Sequence, residues 1–101
     1  MNSALFLDRD GVINIDYGYV YTKEKFIFND GIFELVNNAN SQGYLVIVIT
    51  NQAGIAKGLY SEYDFNVLTK WMAEQFILKN GKIDKTYFCP FHVDGVIEKY
   101  K

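Results

Sequence analysis

The run Leu5-Phe6-Leu7-Asp8-Arg9-Asp10-Gly11 sets two carboxylates, two residues apart, directly after an apolar segment and directly before a glycine. A strand alternates its side chains between faces, so regular extension would put Asp8 and Asp10 on one side. Leaving the strand at that point instead turns them into the mouth of a cleft, where open α/β sheets bind ligands. Paired carboxylates in such a place can hold a hard cation, act as a nucleophile, or serve as general acid and base. Asp and Gly are equally ordinary turn residues, and Asp-x-Asp-Gly by itself reads as well as a surface turn. What the rest of the chain brings to the same place decides between them.

The surrounding pattern alternates strands and helices, which argues for a mostly parallel sheet with crossover helices. Ala4 to Leu7 predicts a short buried strand. From Val12 to Phe28 the chain is β-rich and aromatic, broken at Gly18, and predicts a hairpin or flap. Asp30 is the expected cap of a helix whose apolar face is Ile32, Leu35, Val36 and Ala39, with Gly43 as its stop. Leu45 to Ile49 is a continuous apolar run, as in a strand buried on both faces, and it leaves through Thr50-Asn51-Gln52. A loop with Gly54 and Gly58 leads to Ser61, the expected cap of a long helix carrying Phe65, Leu68, Met72 and Phe76 on one face. Asn80-Gly81 closes that helix. Lys85 to Cys89 predicts the third strand.

Right-handed crossovers set parallel strand ends along one edge of a sheet, so the exits at Asp8, Thr50 and Cys89 converge on one cleft. That convergence lifts the two aspartates above the turn reading. In such a cleft Asp8 can attack phosphorus and form an aspartyl-phosphate. Asp10 can protonate the leaving oxygen and then activate the hydrolytic water. Thr50 can donate its hydroxyl to a phosphoryl oxygen, with Asn51 assisting. A Mg²⁺ ion is expected, because a carboxylate and a phosphate repel each other without one.

Composition narrows the partners. At 101 residues, half of them hydrophobic, the chain reads as one well-packed domain, 1–101. A net charge of −2 with dispersed lysines gives no electrostatic case for nucleic acid or an anionic membrane. The single cysteine, Cys89, excludes an intramolecular disulfide and fits a reducing, cytoplasmic setting. No apolar run reaches transmembrane length. The expected partner is therefore a small molecule; oligomeric state is left open.

Two long segments carry a resemblance. Phe6-Leu7-Asp8-Arg9-Asp10-Gly11-Val12-Ile13-Asn14 and Val48-Ile49-Thr50-Asn51-Gln52-Ala53-Gly54-Ile55-Ala56-Lys57-Gly58 resemble the first two motifs of the haloacid-dehalogenase superfamily. Within it they are similar to the branch of the heptose bisphosphate and histidinol-phosphate phosphatases, a similarity extended by Asp16-Tyr17-Gly18-Tyr19-Val20 and Tyr87-Phe88-Cys89-Pro90. The resemblance implies a three-layer, Rossmann-like parallel sheet with a short flap after the first strand and minimal or no cap. It implies Asp8 as nucleophile, Asp10 as acid/base, both in a Mg²⁺ site, and Thr50 as phosphoryl stabiliser. Asn51, Gln52 and Ala53, with Asp16, Tyr17, Gly18 and Tyr19, then line the pocket of a phosphorylated sugar. The implied reaction is hydrolysis of a sugar phosphate, of heptose 1,7-bisphosphate or alternatively of histidinol phosphate.

The pattern is departed from in two places. The branch binds structural Zn²⁺ through a Cys-x-His pair and a later Cys-x-Cys pair, whereas here Cys89-Pro90-Phe91-His92 puts Phe91 where the histidine belongs. Cys89 and His92 supply at most two of the four ligands such a site needs. The family pattern also continues with a lysine motif and a further acidic motif, which these residues lack. The chain is accordingly expected to be the N-terminal part of a phosphatase nearly twice its length. A catalytically inactive fragment or interaction module is the reading from another class.

Overall fold

The computed structural model describes residues 3–92 and 95–100. Three parallel strands, β1 (Ala4–Asp8), β2 (Leu45–Asn51) and β3 (Lys85–Cys89), form one sheet in the order β1-β2-β3. Asp8 lies across from Ile49 and Asn51 across from Cys89, so all three strands leave at the same edge. Helix α1 (Ile32–Ser41) makes the first crossover; α2 (Ala53–Ala56) and α3 (Glu62–Leu78) make the second. The chain is α/β with a parallel sheet, as its pattern of elements implies.

Both crossovers step the same way across the sheet, and right-handed crossovers that do so lay their helices on the same face. Leu7, Val46 and Val48 on that face meet Val36 and Ala39 of α1 and Leu68, Met72 and Phe76 of α3 in one core. The opposite face presents Phe6, Ile49 and Tyr87 at 58%, 46% and 53% exposure. One expectation is corrected by this: the β2 strand is buried on one face. The described residues hold the sheet and one of its helix layers. Covering both faces requires the strand order to reverse at a switch point, and an order of β1-β2-β3 contains no reversal.

Local chemistry sets the ends of the helices. Ser61 caps α3 as expected, its hydroxyl accepting from the Asp64 N–H at 3.1 Å while Asp64 accepts from the Ser61 N–H at 3.0 Å. At the other end Asn80 adopts a left-handed φ of 69°, and the Gly81 N–H reaches back to the Phe76 carbonyl at 2.8 Å, a Schellman closure. Helix α1 closes the same way through Gly43, the Tyr44 N–H bonding the Ala39 carbonyl at 2.9 Å. Its start differs from expectation: Gly31, not Asp30, is the N-cap, and no side chain caps it. The apolar face shifts accordingly, leaving Leu35 exposed and setting Phe33 against Phe28 and Phe76, with ring centroids 4.8 and 4.9 Å apart.

The segment after β1 is a flap without the ladder of a hairpin. Ile15 donates to the Ile27 carbonyl at 2.8 Å and Asn14 forms an isolated bridge to Phe28. Between them Gly18 breaks the extended backbone and a single 3-10 turn spans Lys23–Lys25. Burial holds the flap where hydrogen bonds do not: Ile13, Val20 and Phe26 turn into the core. Among the described residues no helix is long and apolar enough to cross a membrane.

Truncating Phe76, fully buried between the helices, should cost about 3–5 kcal/mol as Phe76→Ala, a large share of a typical domain's stability. On the same helix Leu78→Ala, at 73% exposure, should change stability by no more than about 0.5 kcal/mol. Urea unfolding of the two variants compares them; equal losses would contradict the core assignment.

Candidate active site

A cavity of about 540 Å³ opens at the carboxyl edge of the sheet, within the size range of small-molecule sites. Asp8, Asp10, Asp16, Gly18, Tyr19, Thr50, Asn51, Gln52 and Ala53 line it, together with Arg9, Ile49 and Tyr60. The residues singled out from the two long motifs are thus brought together. Tyr17 is not in this lining: its hydroxyl donates to the Lys25 carbonyl on the flap. Neither Cys89 nor His92 lines it either.

The sharp exit of β1 makes the site. Strand pairing stops at Asp8, and the Arg9 carbonyl then accepts the N–H groups of Val12, Ile13 and Asn14 at 3.2, 2.8 and 3.2 Å. Gly11 sits in that turn at a φ of 92°, a conformation that costs a residue with a Cβ more than it costs glycine. The turn separates the two carboxylates into different surroundings. Asp8 is exposed in the cleft and takes part in no ion pair among the described residues. Asp10 is gripped.

Arg9 does most of the gripping. With the backbone turned, its side chain folds inward to 2% exposure. Nη2 and Nε donate to Asp10 Oδ1 at 2.7 and 3.1 Å, and Nη2 also reaches the Val20 carbonyl at 2.7 Å. The guanidinium lies 5.7 Å from the centre of the Phe26 ring. One side chain therefore ties the carboxylate to the flap. Buried Asn14 adds a third donor to Asp10 Oδ1 at 3.1 Å, and Gln52 Nε2 donates to Asp10 Oδ2 at 3.2 Å. Charge-assisted hydrogen bonds of this kind are the stronger sort and hold the carboxylate in one orientation.

Thr50, buried on β2, accepts from Gln52 Nε2 at 2.7 Å. Gln52 Oε1 in turn accepts from the Tyr60 hydroxyl, and burial pushes the Tyr60 pKa up to about 12. The opposite wall is the flap: the Asp16 carboxylate accepts the Gly18 N–H at 3.2 Å, and Tyr19 receives Lys57 Nζ on its hydroxyl at 3.0 Å. Gly54 lets both aromatic rings close in, since a Cβ there would stand 2.3 Å from the Tyr60 ring and 3.0 Å from that of Tyr19. Sequence reading alone left the role of Arg9 open and passed over Asn14, Gly54 and Tyr60. The signal for Arg9 was available: an arginine between two aspartates at a strand end must either reach solvent or pair.

The metal readings divide. Asp8 and Asp10 are hard oxygen donors, and magnesium is commonly held by one or two carboxylates together with phosphate oxygens and water, so the donors fit in kind. Cys89 and His92 offer at most two of the four donors that a closed structural zinc site takes. Among the described residues no three His, Cys, Asp or Glu side chains gather to hold a metal. Cys89 is exposed at the end of β3, where its carbonyl accepts the Gln52 N–H at 2.8 Å.

No family model matches the chain. It is 58% identical over 100 residues to D-glycero-alpha-D-manno-heptose-1,7-bisphosphate 7-phosphatase of Burkholderia mallei, covering 99% of this chain and 53% of the relative. It is 44% identical over 95 residues to the corresponding beta-named phosphatase of Haemophilus influenzae, 94% of this chain and 52% of the relative. Among solved structures, D,D-heptose 1,7-bisphosphate phosphatase from B. bronchiseptica, complexed with magnesium and phosphate, superposes with a TM-score of 0.85 at 28% identity, over 91% of this chain and 52% of that one. The chain spans about half the length of the curated relatives it matches. Along nearly all of its own residues the chain is thus similar, in sequence and in fold, to haloacid-dehalogenase-like heptose bisphosphate phosphatases.

Proposed function

We propose that these residues carry the nucleophile side of a phosphomonoesterase site that hydrolyses the 7-phosphate of a heptose 1,7-bisphosphate. One observation supports the reading above the others: Asp8, Asp10 and Thr50 line one cavity at the exits of adjacent parallel strands. The relatives, heptose 1,7-bisphosphate phosphatases by name, supply the substrate class and favour the heptose over histidinol phosphate.

The chemistry follows from the different surroundings of the two aspartates. Asp8, exposed in the cleft, attacks phosphorus as the bond to the sugar oxygen breaks, leaving an aspartyl-phosphate. Asp10, held in one orientation, gives its proton to that departing oxygen. In the second half Asp10 takes a proton from water, the water oxygen bonds to phosphorus, and the Asp8 carboxylate is released with inorganic phosphate. Thr50 donates its hydroxyl to a phosphoryl oxygen. Asp16 and Tyr19 on the flap, Asn51 at the end of β2 and Ala53 beyond it contact the sugar. Magnesium, held by the Asp8 carboxylate and the Asp10 main-chain carbonyl, would supply the positive charge that lets a phosphate approach two carboxylates.

The anomer follows the degree of identity. The relative at 58% is named for the alpha substrate and that at 44% for the beta, so the alpha anomer is proposed as preferred. Three outcomes are expected of a protein that carries this chain at its relatives' length. Asp8→Asn should lower phosphate release from the heptose bisphosphate by at least about 10³-fold, and retained turnover would remove Asp8 as nucleophile. Chelation should stop release and added Mg²⁺ restore it; activity indifferent to chelator would sink the metal assignment. Turnover of the two anomers side by side should show a higher kcat/KM for alpha, and a preference for beta would reverse that proposal. The 101-residue chain assayed alone is the arm that tests the reading as an inactive module.

A further inference from the structure

Resting on the phosphatase reading above, we propose that Tyr60 is a positioning residue: through Gln52 it sets the direction of the Thr50 hydroxyl, leaving that proton for the phosphoryl group. Three side chains form the line, and Tyr60, Gln52 and Thr50 are all buried. A glutamine amide has one accepting end and one donating end, whereas a hydroxyl can do either. Gln52 Oε1 faces the Tyr60 hydroxyl, which must therefore donate. Its Nε2 then faces Thr50 Oγ1 at 2.7 Å and Asp10 Oδ2 at 3.2 Å, both as acceptors. With an N–H already pointed at its oxygen, Thr50 has its own single proton free for the cleft. A flipped amide would do the opposite: Oε1 would take the Thr50 proton, and the cleft would lose its donor.

What prevents the flip is the pair of partners at the two ends of the amide. Asp10 opposes it by accepting from Nε2 at 3.2 Å. Tyr60 opposes it from the other end, because a phenol donates a hydrogen bond more readily than its ring-conjugated oxygen accepts one, which favours Oε1 over Nε2 as its partner. Its ring is fixed for the task, stacked on Tyr21 with centroids 5.0 Å apart and planes 10° apart, and packed on Gly54, where a Cβ would come within 2.3 Å. Burial keeps the phenol protonated far above neutral pH. Because folding raises its pKa, the associated stability is complete below pH 10 and is lost as pH climbs through about 12.

The test is a double-mutant cycle with Thr50 in a protein carrying this chain at its relatives' length, read with the heptose bisphosphate and Mg²⁺. Removing the hydroxyl as Thr50→Val should lower kcat by about 10²-fold, the usual scale for one oxyanion donor. Tyr60→Phe should lower kcat by about tenfold while KM moves less than about twofold, and should add nothing in the Thr50→Val background. Gly54→Ala, which keeps the phenol but displaces it, should reproduce the Tyr60→Phe loss. A readout independent of turnover is the Gln52 side-chain amide pair in ¹⁵N NMR spectra, which should shift in Tyr60→Phe and leave other glutamine amides in place. Multiplicative losses in the double variant, a rise in KM with kcat unchanged, or an unmoved Gln52 signal would each overturn the assignment. If the unsubstituted protein releases no phosphate, the phosphatase reading falls and this one with it; if it is active and Tyr60→Phe matches it, only this one falls.

Discussion

In the sheet Asp8 lies against Ile49 and Asn51 against Cys89, a register produced by two crossovers that step in the same direction. That constraint governs the rest. It sets three strand exits side by side, so a nucleophile candidate from β1 and a hydroxyl from β2 share one cavity. The same constraint puts α1 and α3 together on one face, where Leu68, Met72 and Phe76 bury Leu7, Val46 and Val48. Its consequence on the other face is a bare apolar surface of Phe6, Ile49 and Tyr87 among the described residues.

Within the cavity the chain spends its buried polar groups on orientation. Arg9 is nearly inaccessible, and it reaches both the Asp10 carboxylate and the Val20 carbonyl, so the flap and the acid/base candidate are held by one guanidinium. A buried charge left without its partner is strongly unfavourable, which makes this link hard to break from either end. Gln52 works in the same manner between Asp10, Thr50 and Tyr60. Asp8 stands apart, exposed and outside the network, in keeping with the nucleophile role proposed for it.

Much of this was legible in the order of residues. The apolar run to Leu7, the β-branched run from Val46, the Ser61-x-x-Asp64 box and the Asn80-Gly81 stop are local signals, decided by backbone sterics and nearby hydrogen bonds. Positions that went otherwise were settled by contacts from farther along the chain. Asp30 had the right chemistry for a cap, yet the cap falls one residue later at Gly31, and Phe33 in place of Leu35 packs against the core. The family resemblance makes Tyr17 a companion of Asp16 and Tyr19, but the turn of the flap sends its hydroxyl to Lys25. Gln52 reads as a pocket side chain and does line the cavity, but it is also buried and bonded at both ends of its amide, which its residue type did not foretell.

By itself, then, the sequence determined which residues could do chemistry and that parallel strand ends would gather them, because residue type and periodicity act over a few positions. Only the tertiary structure decided that the two aspartates differ in surroundings, one exposed and one gripped. It also decided that Arg9 turns inward, that Tyr60 stands behind Gln52, and that the helices cover a single face. Those outcomes depend on which distant segments come within a few ångströms of one another, and periodicity carries no record of that.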